Sequence, residues 1–370
     1  MDEILFAGYR NMTIKKPLII IACPRSGTTS LHEALSMDPN LISPHTSDLI
    51  LPFMCANIFL KYCQRNFPNM LRRVERFLKK QKGISKDMEL RHPSSLFSFD
   101  ADDILLGEWN WVSLHAVRTF PVEECWWKNY DFSSFSKNER RKILTFHSLV
   151  CKKKMFMSVK GGKCNQTLLL RSHLSQCTSD FKEIYPDAVF AGIIRDPIDI
   201  LRSFAGLYNS SVYASSGVRM FPVAEEDVYE GEVFAQNECC IKVQDVEEKK
   251  VTWSSVIQLI LDDMMRREAK LYSKEPSVPM SNYNTGHIKF IEFKKNLVGS
   301  IKNLYEQIGF KMGPTFILNL QYKVQAHHEY KKNHQYKNPT LNQLAIRKKS
   351  FLAMPGVKRY MMLLNHADKK

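Results

Sequence analysis

A run of eight residues near the N-terminus combines an arginine, a glycine and several hydroxyl side chains in an order suited to binding an anion. Residues 23–30 read CPRSGTTS. An isoleucine-rich segment at 17–23 precedes the run and a segment with helical spacing at 30–37 follows it, which predicts a strand, a loop and a helix. The backbone N–H groups of such a loop converge with a helix N-terminus on one point. Arg25, inside the loop, can reach the bridging oxygen of a leaving phosphate.

A second arginine and a serine are spaced eight residues apart later in the chain. Arg195 follows an apolar run at 188–194, and Ser203 lies about two helical turns beyond it. Asp196 and Pro197 favour a turn and the start of a helix between them. The two side chains are therefore expected to project toward the same end of a strand.

The loop at 23–30 departs from the GxxxxGK[ST] pattern of nucleoside triphosphatases. Gly27 matches the second glycine of that pattern, but Thr28 replaces its lysine and Ala22 stands at its first glycine. The sequence also offers no recognisable acidic Mg²⁺ ligand at a strand end. A P-loop kinase is therefore an alternative interpretation and not the preferred one.

In order and in context, the two motifs resemble those of sulfotransferases that use 3′-phosphoadenosine 5′-phosphosulfate (PAPS). The resemblance implies transfer of a sulfuryl group from PAPS to a hydroxyl or amine of an acceptor. It also implies that the loop holds the 5′-phosphosulfate and that the later arginine and serine hold the 3′-phosphate. No metal is expected, because a sulfuryl group carries less negative charge than a γ-phosphate. The residues expected to bind PAPS are Arg25, Ser26, Gly27, Thr28, Thr29, Ser30, Arg195 and Ser203.

The same resemblance implies a single α/β domain over residues 17–340, with helices flanking a central parallel sheet in a P-loop NTPase-like sulfotransferase fold. Short apolar or β-branched runs predict the strands of this sheet. A helical, aromatic-rich insertion at about 46–150 is expected to form the acceptor pocket or its lid, and residues 341–370 a basic C-terminal tail. The predicted strands lie at 17–23, 155–160, 188–195 and 287–293.

The general base that takes the acceptor proton is less clearly marked. His45 is the first candidate, because it lies just beyond the first helix, where some relatives such as the tyrosylprotein sulfotransferases place a glutamate, and a histidine titrates near neutral pH. Glu108, beside Trp109, is an alternative base. Lys160 is expected to steer or stabilise the sulfuryl group. His173 is interpreted as a structural histidine.

Composition is consistent with an anionic partner without identifying it. The chain has 370 residues, a formal net charge of +15 and nine cysteines, and no two cysteines form a CxxC pair. Reduced thiols are expected, and neither a zinc module nor a disulfide scaffold is indicated. A basic surface also suits a catalytically inactive homologue that binds a nucleotide or polyanion. Nucleic acid is not an expected partner, since the basic C-terminal segment is not regularly interleaved with aromatic residues.

The sequence leaves the identity of the acceptor open and gives only general indications of location. Small molecules, glycans and peptides all remain possible acceptors, and the sequence says nothing of oligomeric state. No apolar run approaches the ~20 residues needed to span a bilayer, and residues 1–16 do not resemble a signal peptide. A cytoplasmic location is therefore expected. If Met1 is a truncated start and an anchor is missing, the Golgi lumen is the expectation instead.

Overall fold

The structure is a computed structural model that describes residues 2–81, 95–98, 132–158, 166–216, 218–219, 233–234, 238–241, 249–273, 280, 282–333 and 338–366. The strands are β1 (Leu18–Ile21), β2 (Leu41–Ile42), β3 (Thr167–Ser172), β4 (Val189–Ile194), β5 (Val218–Arg219), β6 (Val233–Phe234), β7 (Glu238–Ile241), β8 (Lys249–Thr252) and β9 (Thr285–Lys289). The helices are α1 (Asp2–Leu5), α2 (Thr28–Leu35), α3 (Thr46–Ile50), α4 (Met54–Asn66), α5 (Pro68–Gln81), α6 (Lys137–Phe156), α7 (Thr178–Ile184), α8 (Pro197–Ser216), α9 (Trp253–Tyr272), α10 (Phe290–Lys295), α11 (Leu297–Ile308), α12 (Pro314–Asn333), α13 (Lys348–Leu352) and α14 (Pro355–His366). Three short 3₁₀ helices span Ala7–Asn11, Phe132–Ser134 and Ser175–Cys177.

Five parallel strands form the central sheet, in the order β2-β3-β1-β4-β9. The middle strand, β1, is wholly apolar and fully buried, as expected of a parallel strand covered on both faces. Leu18 pairs with Leu169 on one side and with Val189 on the other. Because all five strands run the same way, the loops after them meet at one edge of the sheet. Ligands of open α/β sheets bind at that carboxyl edge.

Helices cover both faces of this sheet, so that the molecule has a three-layer α/β fold, as predicted. Leu18 and Ile20 point to a core shared with α2, α11 and α12. Ile19 and Ile21 point the other way, to a core shared with α6, α7 and α9. This alternation follows from the two-residue period of a strand.

Two of the four predicted strands lie where they were expected, and two were misplaced. The prediction at 155–160 was wrong, because Met155 and Phe156 end helix α6 and the strand is β3 at Thr167–Ser172. Helix α6 begins with a capping box of Ser136 and Glu139 and buries residues at helical spacing. The apolar run at residues 155–157, at its C-terminal end, resembles the start of a strand. The prediction at 287–293 merged the end of β9 with the first turns of α10.

The C-terminal segment, expected as a basic tail, contributes apolar side chains to the core. Phe351, Val357 and Tyr360 are fully buried against α8 and α9. Gly356 allows α14 to approach α9 closely, since a Cβ there would lie 1.9 Å from the carbonyl oxygen of Asp262. The carboxylate of Asp262 accepts hydrogen bonds from the N–H groups of Gly356 and Val357. Helix α14 is therefore docked on α9.

The described parts of the predicted insertion are helical, with α3, α4 and α5 before residue 82 and α6 after residue 136. None of the helices in the described ranges is long and apolar enough to cross a membrane.

Candidate active site

The loop after β1 is a tight turn that leads directly into α2. The N–H and the Oγ of Ser26 both donate to the carbonyl oxygen of Cys23, at 3.2 and 2.7 Å. Arg25 and Gly27 both have positive φ, 67° and 115°. A Cβ at Gly27 would also lie 2.6 Å from the ring of Phe290, so this position requires glycine.

Helix α2 starts at Thr28, immediately after this turn. Its first N–H groups have no partner within the helix and point toward the space in front of the loop. The side chain of Thr28 is buried, whereas Thr29 is exposed and Ser30 is half-buried. Of the predicted ligands, Thr29 and Ser30 thus face the accessible side, while the hydroxyl of Ser26 builds the turn itself.

The two arginines of the predicted motifs meet beside this turn, although 170 residues separate them in sequence. Nη1 of Arg195 donates to the carbonyl oxygen of Arg25 at 3.0 Å. Nε of Arg25 donates to the Oγ of Ser203 at 3.0 Å. The structure therefore brings Arg25, Arg195 and Ser203 into one hydrogen-bonded group.

Two further contacts fix the guanidinium group of Arg195. Its carbon lies 4.8 Å from the ring centre of Phe290, and Nη2 is 3.3 Å from the carboxylate of Asp199. Its Nε is buried and has no hydrogen-bond partner among the described atoms. These contacts hold the guanidinium group of Arg195 beside the turn that leads into α2.

His45 lies in a different polar cluster, after β2 and at the start of α3. The ammonium of Lys154 donates to Nδ1 of His45 at 2.9 Å and to the carboxylate of Asp48 at 2.7 Å. Because an ammonium can only donate, Nδ1 of His45 accepts and its lone pair is engaged. In this arrangement the ring proton lies on Nε2.

The charges of this cluster compensate one another. Burial alone would raise the pKa of Asp48, but hydrogen bonds from the ammonium of Lys154 and the backbone N–H of His45 hold that pKa well below its usual range. Burial lowers the pKa of Lys154, against the opposing attraction of Asp48. Both side chains are almost fully buried. This is a buried ion pair that orients the start of α3.

His173 follows β3 directly and lies next to the turn at residues 23–27. Its Nδ1 is 3.0 Å from the carbonyl oxygen of Ala22, the residue before the turn. Since a carbonyl can only accept, Nδ1 carries the proton and the basic lone pair lies on Nε2. The ring is half-buried. These features suit a general base better than those of His45.

The sequence interpretation gave His173 a structural role and placed the preceding strand at 155–160. With β3 at Thr167–Ser172, the histidine falls at the carboxyl end of a central strand, which is where site residues of such sheets gather. A better placement of that strand is the signal that could have found it. Glu108 and Lys160 lie outside the described residues. Within those ranges no group of three or more His, Cys, Asp or Glu side chains could hold a metal ion.

Comparisons with known proteins bear on the family and the fold of the chain. The sequence model of the sulfotransferase family matches residues 17–230. The fold is similar to that of sulfotransferase STF9 from Mycobacterium avium, with a TM-score of 0.63 and 14% identity over 98% of this chain and 80% of that chain. It is also similar to sulfotransferase STF1 from Mycobacterium tuberculosis H37Rv, with a TM-score of 0.53 and 12% identity over 97% of this chain and 80% of that one. No curated protein sequence matches the chain.

Proposed function

The chain belongs to the sulfotransferase family, and from this premise we propose that it transfers a sulfuryl group from PAPS to a hydroxyl or amine of an acceptor. The observation that carries the proposal is the hydrogen-bonded group of Arg25, Arg195 and Ser203 beside the N-terminus of α2. It offers two cationic groups and a row of N–H donors, which matches a ligand with two separate phosphate groups.

In this proposal the residues of the turn and of α2 bind the 5′ end of the nucleotide. The N–H groups from Thr28 to Ser30 and the hydroxyls of Thr29 and Ser30 cradle its 5′-phosphate, and Arg25 stabilises charge on the bridging oxygen. Ser203 accepts from Arg25 and so orients that guanidinium. Arg195 binds the 3′-phosphate. When bound, PAPS supplies the activated sulfuryl group, and the protein supplies position and charge.

We propose His173 as the general base. Its Nε2 takes the acceptor proton, and the resulting imidazolium is stabilised through Nδ1–H by the carbonyl oxygen of Ala22. His45 ranks second, because the ammonium of Lys154 engages the lone pair of its Nδ1. Glu108 and Lys160 stay predictions from the sequence, as do a cytoplasmic location and the range of small-molecule, glycan and peptide acceptors.

Calorimetric titration with 3′-phosphoadenosine 5′-phosphate tests the donor site without knowledge of the acceptor. We expect binding that needs no added metal and that weakens about a hundredfold for ADP, which lacks the 3′-phosphate, because a charge-assisted phosphate contact is lost. Preference for ATP with Mg²⁺ would favour a kinase instead. Nucleotide binding without turnover across an acceptor screen would indicate an inactive homologue.

A further inference from the structure

A carboxyl group lies buried directly beneath the phosphate-binding turn. Glu268 of α9 is fully buried, and its Oε2 accepts a hydrogen bond from the backbone N–H of Cys23 at 2.8 Å. Cys23 opens the turn, and its carbonyl oxygen in turn accepts from Ser26. Glu268 therefore holds the backbone of the residue on which the turn closes.

Two tyrosines extend this support to both phosphate motifs. The hydroxyl of Tyr272, also on α9, donates to the carbonyl oxygen of Ile21 at 2.6 Å. The hydroxyl of Tyr360, on α14, accepts from the backbone N–H of Arg195 at 3.1 Å. Because α9 and α14 pack closely at Gly356, one helical layer holds the backbone that enters both motifs.

The surroundings of Glu268 do not favour a charged carboxylate. The titratable groups that face it are the thiol of Cys23 from the turn and the hydroxyls of Tyr272 and Tyr360 from the two helices. Its Oε1 is buried without a hydrogen-bond partner among the described atoms. Burial raises the pKa of Glu268 to about 8. At neutral pH the group is therefore mostly uncharged, and it can accept the N–H of Cys23 without placing a negative charge behind an anion site.

We infer that Glu268 is a positioning residue, which shapes the phosphate-binding turn from below and must be uncharged for the turn to bind its anionic ligand. The inference rests on the proposed function only for the choice of nucleotide as a probe.

The test compares three variants by titration with 3′-phosphoadenosine 5′-phosphate between pH 7 and pH 9.5, above the range in which the phosphate groups themselves titrate. For the wild type we expect an affinity loss of about tenfold on the alkaline side, the size of a change of about one pKa unit. Glu268→Gln keeps an acceptor for Cys23 and cannot ionise, so its alkaline loss disappears. Glu268→Leu leaves that N–H unpaired and weakens binding about tenfold already at pH 7.

Asp38→Asn is the matched control. Asp38 is also a buried carboxyl, which accepts from Tyr305 at 2.9 Å, but it lies beyond the opposite end of α2 from the turn. We expect this variant to keep the pH dependence of the wild type. If Glu268→Gln keeps the same alkaline loss, or Glu268→Leu binds the nucleotide as the wild type does, the inference is overturned.

Hydrogen–deuterium exchange of the ligand-free protein separates this inference from the proposed function. We expect Glu268→Leu, but not Asp38→Asn, to speed exchange in a peptide covering residues 18–31. If the wild type fails to bind the nucleotide, the proposed function fails, and faster exchange in Glu268→Leu still supports the positioning role. Unchanged exchange overturns it. If the leucine variant does not fold, the pH profile of the glutamine variant decides.

Discussion

The carboxyl edge of the sheet has two polar regions that differ in how their charged groups are paired. At β1 and β4, two arginines lie side by side and one guanidinium nitrogen has no partner among the described atoms. At β2, the ammonium nitrogen of Lys154 lies 2.7 Å from a carboxylate oxygen of Asp48, and both side chains are almost fully buried. The first region has two arginines beside the carboxylate of Asp199, whereas the second pairs one ammonium with one carboxylate. A buried ion pair by itself therefore does not indicate a ligand site.

Removal of Arg25 should cause the largest loss of turnover, because in the proposed reaction no other cationic side chain stabilises the charge on the departing phosphate. We expect Arg25→Ala to lower turnover about a thousandfold, as for other groups that stabilise developing charge. The change is measured by steady-state kinetics with an acceptor that the wild type sulfates. Arg10→Ala, which removes an exposed arginine paired with Glu3, is the control and should keep wild-type turnover. Near-normal turnover of Arg25→Ala would show that the turn at residues 23–27 does not take part in the reaction.

Loss of Asp48 should affect stability and not nucleotide binding. Asp48→Asn leaves the ammonium of Lys154 buried without its counter-charge, so we expect the free energy of unfolding to fall by about 3 kcal/mol in denaturant titrations. The more exposed pair of Arg140 and Asp180 provides the control, and Asp180→Asn should cost less than about 1 kcal/mol.

The pair also predicts a pH dependence of stability. Because the pKa of Asp48 is lower in the folded than in the unfolded state, its contribution is complete above the ordinary value of 3.8 and is lost as the pH falls below it. Asp48→Asn should therefore lose less stability on acidification than the wild type. An equal acid dependence in both proteins would show that the cluster is not the coupled pair described above.

Replacement of His173 should lower turnover about a hundredfold while nucleotide affinity stays the same, since a general base acts only on the acceptor proton. The acid limb of the pH–rate profile should disappear with it. His45→Ala, measured alongside, should have a smaller effect on turnover. The reverse order of the two variants would return the base to His45 and make the cluster at β2 part of the chemistry.

Ser203→Ala should give the smallest effect of the series. It removes one hydrogen bond from Nε of Arg25, which is worth about 1 kcal/mol or a fivefold change in turnover. Ser210→Ala on the same helix, where the hydroxyl donates to the carbonyl oxygen of Gly206, is the matched control. If Ser203→Ala weakens nucleotide binding and leaves turnover intact, Ser203 contacts the 3′-phosphate directly and does not act through Arg25.

The parts of the site that could be predicted from sequence are those whose signal is local. Arg25 is recognised from the residues around it, and Arg195 and Ser203 from their spacing behind an apolar run. The order of the strands in the sheet and the contact between Arg25 and Ser203 depend on pairing over 100 residues and more, which no local pattern records. The position of His173 at the end of a central strand was not predicted, because the last turn of α6 was taken for a strand.

Glu268 represents a harder class of residue. It lies 245 residues from the backbone group it binds, within the pattern of an ordinary amphipathic helix. An acidic residue in such a helix is usually solvated, and although Glu268 falls at the helical spacing of Met264, Met265 and Tyr272, no local pattern shows which backbone group it meets. Only the packing of α9 under the sheet shows its role.

The central place of β1 in the sheet has a consequence for synthesis of the protein. Its two partners begin at residues 167 and 189, so nearly half of the chain must leave the ribosome before the first strand can pair on either side. During that interval the run Leu-Ile-Ile-Ile has no native sheet to cover it, and exposed apolar strands of this kind favour aggregation. We therefore expect the nascent chain to need chaperones that bind apolar segments until β3 and β4 have emerged.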